Sequence, residues 1–338
     1  MFAHILKNLL RIINNMKKKI LICGATGFIG RNMVEYFSKK DEFEVHAVRF
    51  NRDKYETKNV IWHKADLRDS AQIEKIIKGI DIIVQAAATT SGAKDIVTKP
   101  YIHVTDNAVM NSYLFRLAFE QKVKHIIFFS CTVMYQSSNK ALKETDFDAN
   151  AEIYPRYFGV ANTKLYLEKM CDFYSRIGET KYTVIRHSNI YGAYDKFDLD
   201  RSHFFGATIT KVMLAKDKFA VWGVGEEERD LLHASDLNNF VGLAIQNQKE
   251  KYRIYNCGAG KSESVINIVK KIVAASKKNL QIEHDLSQPS IKTSLFLDCS
   301  LAQKELGWKP QTALDDGIKS TIKWWQENID ETTLKPKK

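Results

Sequence analysis

Residues 18–37, KKILICGATGFIGRNMVEYF, limit the fold of this chain more than any other stretch. A short apolar run leads into Gly24, Gly27 and Gly30, and an amphipathic helical pattern follows. Each glycine has its own task in such a strand–turn–helix. Gly24 permits the tight turn, Gly27 lets the backbone approach a bound pyrophosphate, and Gly30 lets helix and strand pack closely. The helix start then offers unpaired N–H groups and a positive dipole end to the anion. Thr26, Phe28 and Ile29, set among the glycines, are expected against the same ligand. A strand before the glycines and a helix after them are the context a dinucleotide site requires.

The alternation continues. FEVHAVRFNR reads as a second strand with Arg49 at its end and Arg52 just beyond. An acidic residue there would bind a ribose 2′-hydroxyl, whereas two arginines suit a 2′-phosphate, so NADP is favoured over NAD. VIWHKADLRD is a strand followed by Asp66 and Leu67, with Asp66 placed to accept from an adenine amino group. IDIIVQAAATTSG runs from a buried strand into Ala86, Ala87 and Ala88, small residues that suit backbone lying against a cofactor. A long helical pattern containing Asn107 and the apolar strand of VKHIIFFSCTVMY complete the series. Strands and helices in alternation predict a Rossmann-type, doubly wound parallel α/β sheet that binds ligands at the carboxyl ends of its strands.

Composition narrows the function classes. The formal net charge is +11, but part of the excess sits at the two ends, and no basic stripe is interleaved with aromatics. Nucleic acid is therefore not an expected partner. The five cysteines are scattered without a CxxC pair, which argues against a disulfide framework and a zinc site and fits a reducing cytoplasm. No apolar run approaches the ~20 residues of a membrane span. Residues 1–16 read as a dispensable extension, because Met16 opens a natural-looking start, with a peripheral membrane helix as the other reading.

The motifs GATGFIG, ADLRD, AAATTSG, SCTVMY, TKLYLEK and RHSNIYG, in that order, resemble the extended short-chain dehydrogenase/reductases that act on nucleotide sugars, the NAD-dependent epimerase/dehydratase family. The likeness covers roughly residues 17–327. NIYGAYDKFDLDRSHFFGATITKVM and FAVWGVGEEERDLLHASDL are similar to the substrate-domain signatures of GDP-fucose synthases. The resemblance implies an epimerase, reductase or dehydrogenase acting on a GDP-sugar of the 4-keto-6-deoxy hexose or heptose type, for a surface polysaccharide. It implies a dinucleotide-binding domain over 17–190, with sheet segments returning near 230–257. A smaller mixed α/β substrate domain over 191–330 and a polar tail over 331–338 would follow. A homodimer is implied through helices near 101–121 and 158–177, whose surplus apolar residues include Tyr113, Phe115 and Phe119 on one and Leu165, Tyr166, Leu167 and Met170 on the other.

The resemblance also assigns roles. Lys164 would hold the nicotinamide ribose, and Ser130, Cys131 or Thr132 the sugar oxygen. His203 would donate a proton during epimerisation, and Arg229 would contact the nucleotide-sugar together with Val221, Trp222 and Asn189. His187 lies at a strand end near the same site. The family carries Tyr-x-x-x-Lys, but Val160 stands four residues before Lys164. The phenol's work would pass to Tyr157, Tyr154, Cys131, His203 or a water. Two other readings stand beside the main one: a nucleotide-binding scaffold that has lost turnover, and a UDP- or dTDP-sugar 4-epimerase or 4,6-dehydratase.

Overall fold

The apolar runs become strands because each is short, β-branched and bounded by turn residues. The computed structural model describes residues 17–89, 99–199, 202–287 and 293–337, so the extension at 1–16 lies outside the described residues. The strands are β1 (Lys18–Cys23), β2 (Phe43–Arg49), β3 (Val60–Lys64), β4 (Ile82–Gln85), β5 (His125–Phe129), β6 (Lys181–His187), β7 (Asn189–Tyr191), β8 (Lys218–Trp222), β9 (Glu228–Arg229), β10 (Leu231–His233), β11 (Tyr252–Cys257), β12 (Glu263–Ser264) and β13 (Gln281–Asp285). The helices are α1 (Phe28–Phe37), α2 (Ser70–Ile76), α3 (Thr105–Glu120), α4 (Phe158–Ile177), α5 (Phe204–Leu214), α6 (Ala234–Asn247), α7 (Val265–Ser276), α8 (Ser300–Leu306) and α9 (Leu314–Asn328).

Seven strands form one sheet in the order β11-β6-β5-β4-β1-β2-β3, and every neighbouring pair is parallel. The strand order reverses between β1 and β4, which opens a crevice at their carboxyl ends. A parallel sheet must bury both faces. Here α1, α6 and α8 cover one face and α2, α3 and α4 the other. Phe240 of α6 meets Tyr255 of β11 and the fully buried Trp308 edge-on, at centroid separations of 6.0 and 5.0 Å. Truncating it to alanine should cost about 3–5 kcal/mol.

A second lobe gathers α5, α7 and α9 around Phe205, Ile209, Ile268 and Trp325. Its paired β8 and β13 form a separate two-stranded sheet. The chain enters this lobe after β6, returns through α6 to lay down β11, and leaves again. The two lobes face each other across the carboxyl ends of the large sheet.

Candidate active site

A cleft of about 710 Å³ runs along those strand ends. Its floor is the glycine turn. Gly24 has φ +70°, and a Cβ there would stand 2.7 Å from the Ala87 Cα, so the turn and the end of β4 can approach only without a side chain. A Cβ on Gly30 would fall 2.2 Å from the Gly24 carbonyl oxygen. Gly30 therefore packs α1 onto the turn and does not itself line the cleft. Gly24, Thr26, Gly27, Phe28 and Ile29 do line it, and Gly27 caps α1. A ligand phosphate would find here a bare turn and free helix-start N–H groups.

At one end Arg49, Arg52, Asp66 and Leu67 face the cleft. Arg52 donates to the Thr26 carbonyl oxygen at 3.3 Å, and Arg49 to the Arg52 carbonyl oxygen at 3.4 Å. Asp66 accepts from Arg68 through the backbone N–H at 2.9 Å, Nε at 3.0 Å and Nη2 at 2.8 Å. These bonds hold its carboxyl below the usual range. Arg68 also lies 5.4 Å from the Phe50 ring centroid, and both residues line the cleft, although the sequence reading omitted them. The D-x-R spacing at a strand end was the available signal. Ala86, Ala87 and Ala88 form the adjoining wall. Asn107 does not line the cleft. It is buried, and its side chain accepts from the Thr89 N–H and donates to the His103 carbonyl oxygen, fastening the chain beyond β4 to α3.

In the middle stand Cys131, Thr132, Tyr157, Val160, Lys164 and His187. Lys164 donates to the Phe129 carbonyl oxygen at 2.7 Å, and burial lowers its pKa. Burial likewise pushes the Cys131 thiol up, against the opposing pull of Lys164. The Ser130 hydroxyl is already committed: it donates to Glu168 Oε1 at 2.6 Å. Glu168 is in turn clasped by Arg186 at 2.7 and 3.0 Å, all of it buried. Ser130 also lines the cleft with Cys131 and Thr132, but its hydroxyl hydrogen is spent on Glu168. Tyr157 immediately precedes α4, its ring 5.7 Å from that of Tyr154. Burial raises the Tyr157 phenol pKa, and Arg229 opposes that rise. Burial pushes His187 down to about 4, so its ring is neutral. Its Nδ1–H then donates to the Ser188 carbonyl oxygen at 2.8 Å, leaving Nε2 as an acceptor.

The second lobe contributes Asn189, Asp195, Lys196 and His203, with His103 nearby. Burial lowers the His203 pKa, with Lys196 and His103 adding to the shift. Asp195 was missed in the sequence. Burial pushes its carboxyl up to about 7, and the one signal in the sequence was an Asp-Lys pair among aromatic residues.

A separate depression of about 410 Å³ lies on the second lobe, where Lys211 stands 4.6 Å from the Trp222 ring centroid. Val221 belongs to neither site. Along β8 the side chains alternate, so Val221 is buried in the core while Trp222 points out. Arg229 donates to the Glu228 carbonyl oxygen at 2.7 Å and to that of Thr293, and lines neither depression. Among the described residues no cluster of His, Cys, Asp and Glu could hold a metal ion. No described helix is long and apolar enough to cross a membrane.

Two curated relatives match along nearly the whole chain. The GDP-L-colitose synthase of Yersinia pseudotuberculosis is 26% identical over 314 residues, covering 91% of this chain and 97% of that protein. The GDP-L-fucose synthase of Azorhizobium caulinodans is 26% identical over 320 residues, covering 91% and 96%. Among solved structures, a GDP-6-OMe-4-keto-L-xylo-heptose reductase from C. jejuni superposes with a TM-score of 0.80 at 19% identity, covering 92% of this chain and 98% of that one. The family model described as NAD dependent epimerase/dehydratase matches residues 20–258, the span that builds the sheet and most of the cleft. A glycine turn at a helix start, a buried lysine one wall away and this match lead to one conclusion: the chain belongs to the NAD dependent epimerase/dehydratase family.

Proposed function

We propose that this protein is an NAD(P)-dependent epimerase/reductase or dehydrogenase of a nucleotide sugar, a GDP-4-keto-6-deoxy hexose or a GDP-heptose of that type. One observation carries the reading: a single cleft joins the glycine turn to Lys164, Cys131, Thr132 and His203. The names of the two curated relatives support the GDP-sugar.

The residues present fit a dinucleotide. The start of α1 would hold the pyrophosphate, Arg49 and Arg52 a 2′-phosphate, and Lys164 the nicotinamide ribose. A bound nicotinamide supplies or removes hydride at a sugar carbon. The chain does the rest. Thr132 orients the sugar oxygen, and Lys164 sets the local field. His203, which lines the same cleft, would donate the proton to a carbon beside a keto group during epimerisation. The Trp222–Lys211 depression suits the nucleotide end of the substrate, an aromatic face for a base and a cation for a phosphate.

Val160 favours a second reading, a nucleotide-binding scaffold without turnover. One experiment separates them. Purified protein is mixed with GDP-, UDP-, CDP- and dTDP-linked 4-keto sugars and NADPH or NADH, and absorbance at 340 nm is followed. Oxidation of NADPH with the GDP-sugar supports the proposal. Binding without absorbance change and without deuterium uptake from D₂O into the sugar, across the whole panel, favours the scaffold.

A further inference from the structure

Arg31 lies between two aromatic rings. Its guanidinium carbon is 4.0 Å from the Tyr55 centroid and 4.1 Å from the Tyr194 centroid. Its Nε is buried without a hydrogen-bond partner, and the two ring faces are among the groups that hold this cation. The stack continues: Tyr194 meets Trp324 of α9 at 5.0 Å, and Trp324 lies against Phe197 at 5.7 Å. Five side chains thus connect three places. Tyr55 belongs to the segment after β2 that carries Arg52, and its hydroxyl donates to the Ala25 carbonyl oxygen at 3.4 Å. Arg31 is in the first turn of α1, directly after the glycine turn. Tyr194 and Phe197 bracket Asp195 and Lys196, which line the second-lobe wall.

Two details tie this loop to α1. Tyr194 has φ +68°, a left-handed backbone rarely adopted by a bulky residue. Next to it, Asn32 of α1 donates to the Ala193 carbonyl oxygen at 2.9 Å. The helix that opens at the glycine turn therefore supplies two holds on residues 193–194, and Trp324 of α9 packs against Tyr194 as a third. The strained conformation persists because its surroundings impose it.

We propose that Arg31 is a positioning residue coupling the two walls of the cleft. Ordering of the glycine turn and the 50–58 segment around a dinucleotide fixes Arg31. Arg31 fixes Tyr194, and Tyr194 presents Asp195 and Lys196 to the second ligand. Dinucleotide and nucleotide sugar then bind with positive cooperativity, which is reciprocal by linkage. The identity of the second ligand rests on the function proposed above; the Arg31–Tyr194 link does not.

Two measurements on the full chain test this. Calorimetry gives the NADPH affinity with and without saturating GDP-mannose, a stable probe. In the wild type the probe should tighten NADPH by about fivefold or more, the low end of ordinary coupling. Arg31→Met should bring that factor close to one while each ligand still binds alone, and Arg31→Lys should restore part of it. Hydrogen exchange then reads residues 192–199 with NADPH as the sole ligand. Protection should rise in the wild type and stay flat in Arg31→Met. Unchanged coupling or unchanged protection in Arg31→Met overturns the inference, as does a wild type in which neither NADPH nor NADH raises protection. Failure of GDP-mannose to bind, with the protection difference intact, counts against the GDP-sugar and supports the Arg31 link.

Discussion

Lys164 reaches from helix α4 to the carbonyl oxygen of Phe129, 2.7 Å away at the last residue of β5. The bond aims the ammonium at the strand end where Cys131 and Thr132 begin the cleft wall. Val160, one helical turn earlier, offers no proton. If the protein is a catalyst, Lys164→Ala should lower turnover by about two powers of ten or more, the usual scale for a positioned electrostatic group. Steady-state kinetics with the GDP-sugar that turns over would measure it.

His203→Asn and Tyr157→Phe divide the remaining chemistry. His203→Asn should abolish exchange of the proton beside the keto group, read as deuterium uptake from D₂O, and leave simple hydride transfer largely intact. Tyr157→Phe tests whether a phenol just before the helix has taken the vacated role. A loss as large as that of Lys164→Ala assigns the acid–base to Tyr157. Full activity in all three variants would place the chemistry elsewhere in the cleft.

Cofactor choice should follow the arginines after β2. NADP(H) should bind more tightly than NAD(H), and Arg49→Ala should cost NADP(H) about tenfold, the equivalent of ~1.4 kcal/mol, with little effect on NAD(H). Titration of apo protein with both cofactors decides it. Tighter NAD(H) binding in the wild type would sink the NADP assignment.

The outer faces of α3 and α4 should form a homodimer. Tyr113, Tyr166 and Phe173 are 40%, 52% and 54% exposed on these neighbouring helices. Phe115 and Leu167, which the sequence reading counted in that surplus, are fully buried against the sheet, so the candidate face is smaller than expected. Light scattering at micromolar concentration should give a dimer, and the Tyr166→Glu and Phe173→Glu double variant a monomer. A monomeric wild type argues against the interface.

Stability should fall in acid, and His125 contributes to it. Burial lowers its pKa from 6.5 to about 3, and its Nε2 pairs with Thr183 Oγ1 at 2.8 Å. The folded value is the lower one, so the unfolded chain binds more protons between these limits. The contribution is therefore complete above pH 6.5 and is lost as pH falls toward about 3. Urea unfolding at pH 7 and pH 5 should show a smaller difference for His125→Asn than for the wild type. Equal differences would remove His125 from the account.

Much of the fold was legible because alternating strands and helices bring strand ends together whatever lies between them. The glycine turn, Arg49, Cys131, Lys164 and His187 are distant in sequence yet line one cleft for that reason. Phase within an element was also readable: the alternation along β8 could have placed Val221 inside and Trp222 outside. Partnerships across the chain were not. Ser130 meets Glu168 and Asn107 meets Thr89 through contacts that no local pattern encodes. Asp195 was hidden for a related reason, since its altered acidity comes from burial by residues on other elements.

The parallel pairing of β11 with β6 has a consequence for how the chain comes into being. Residues 188–251 are made between those two strands. As synthesis proceeds, β6 emerges with one edge unsatisfied, and that edge stays open until residues 252–257 follow. An open strand edge is a template for unwanted pairing. The second lobe is thus an excursion made while the first half waits to close. A fragment ending near residue 190 would carry the glycine turn and Lys164 on a sheet whose last seam was never sewn.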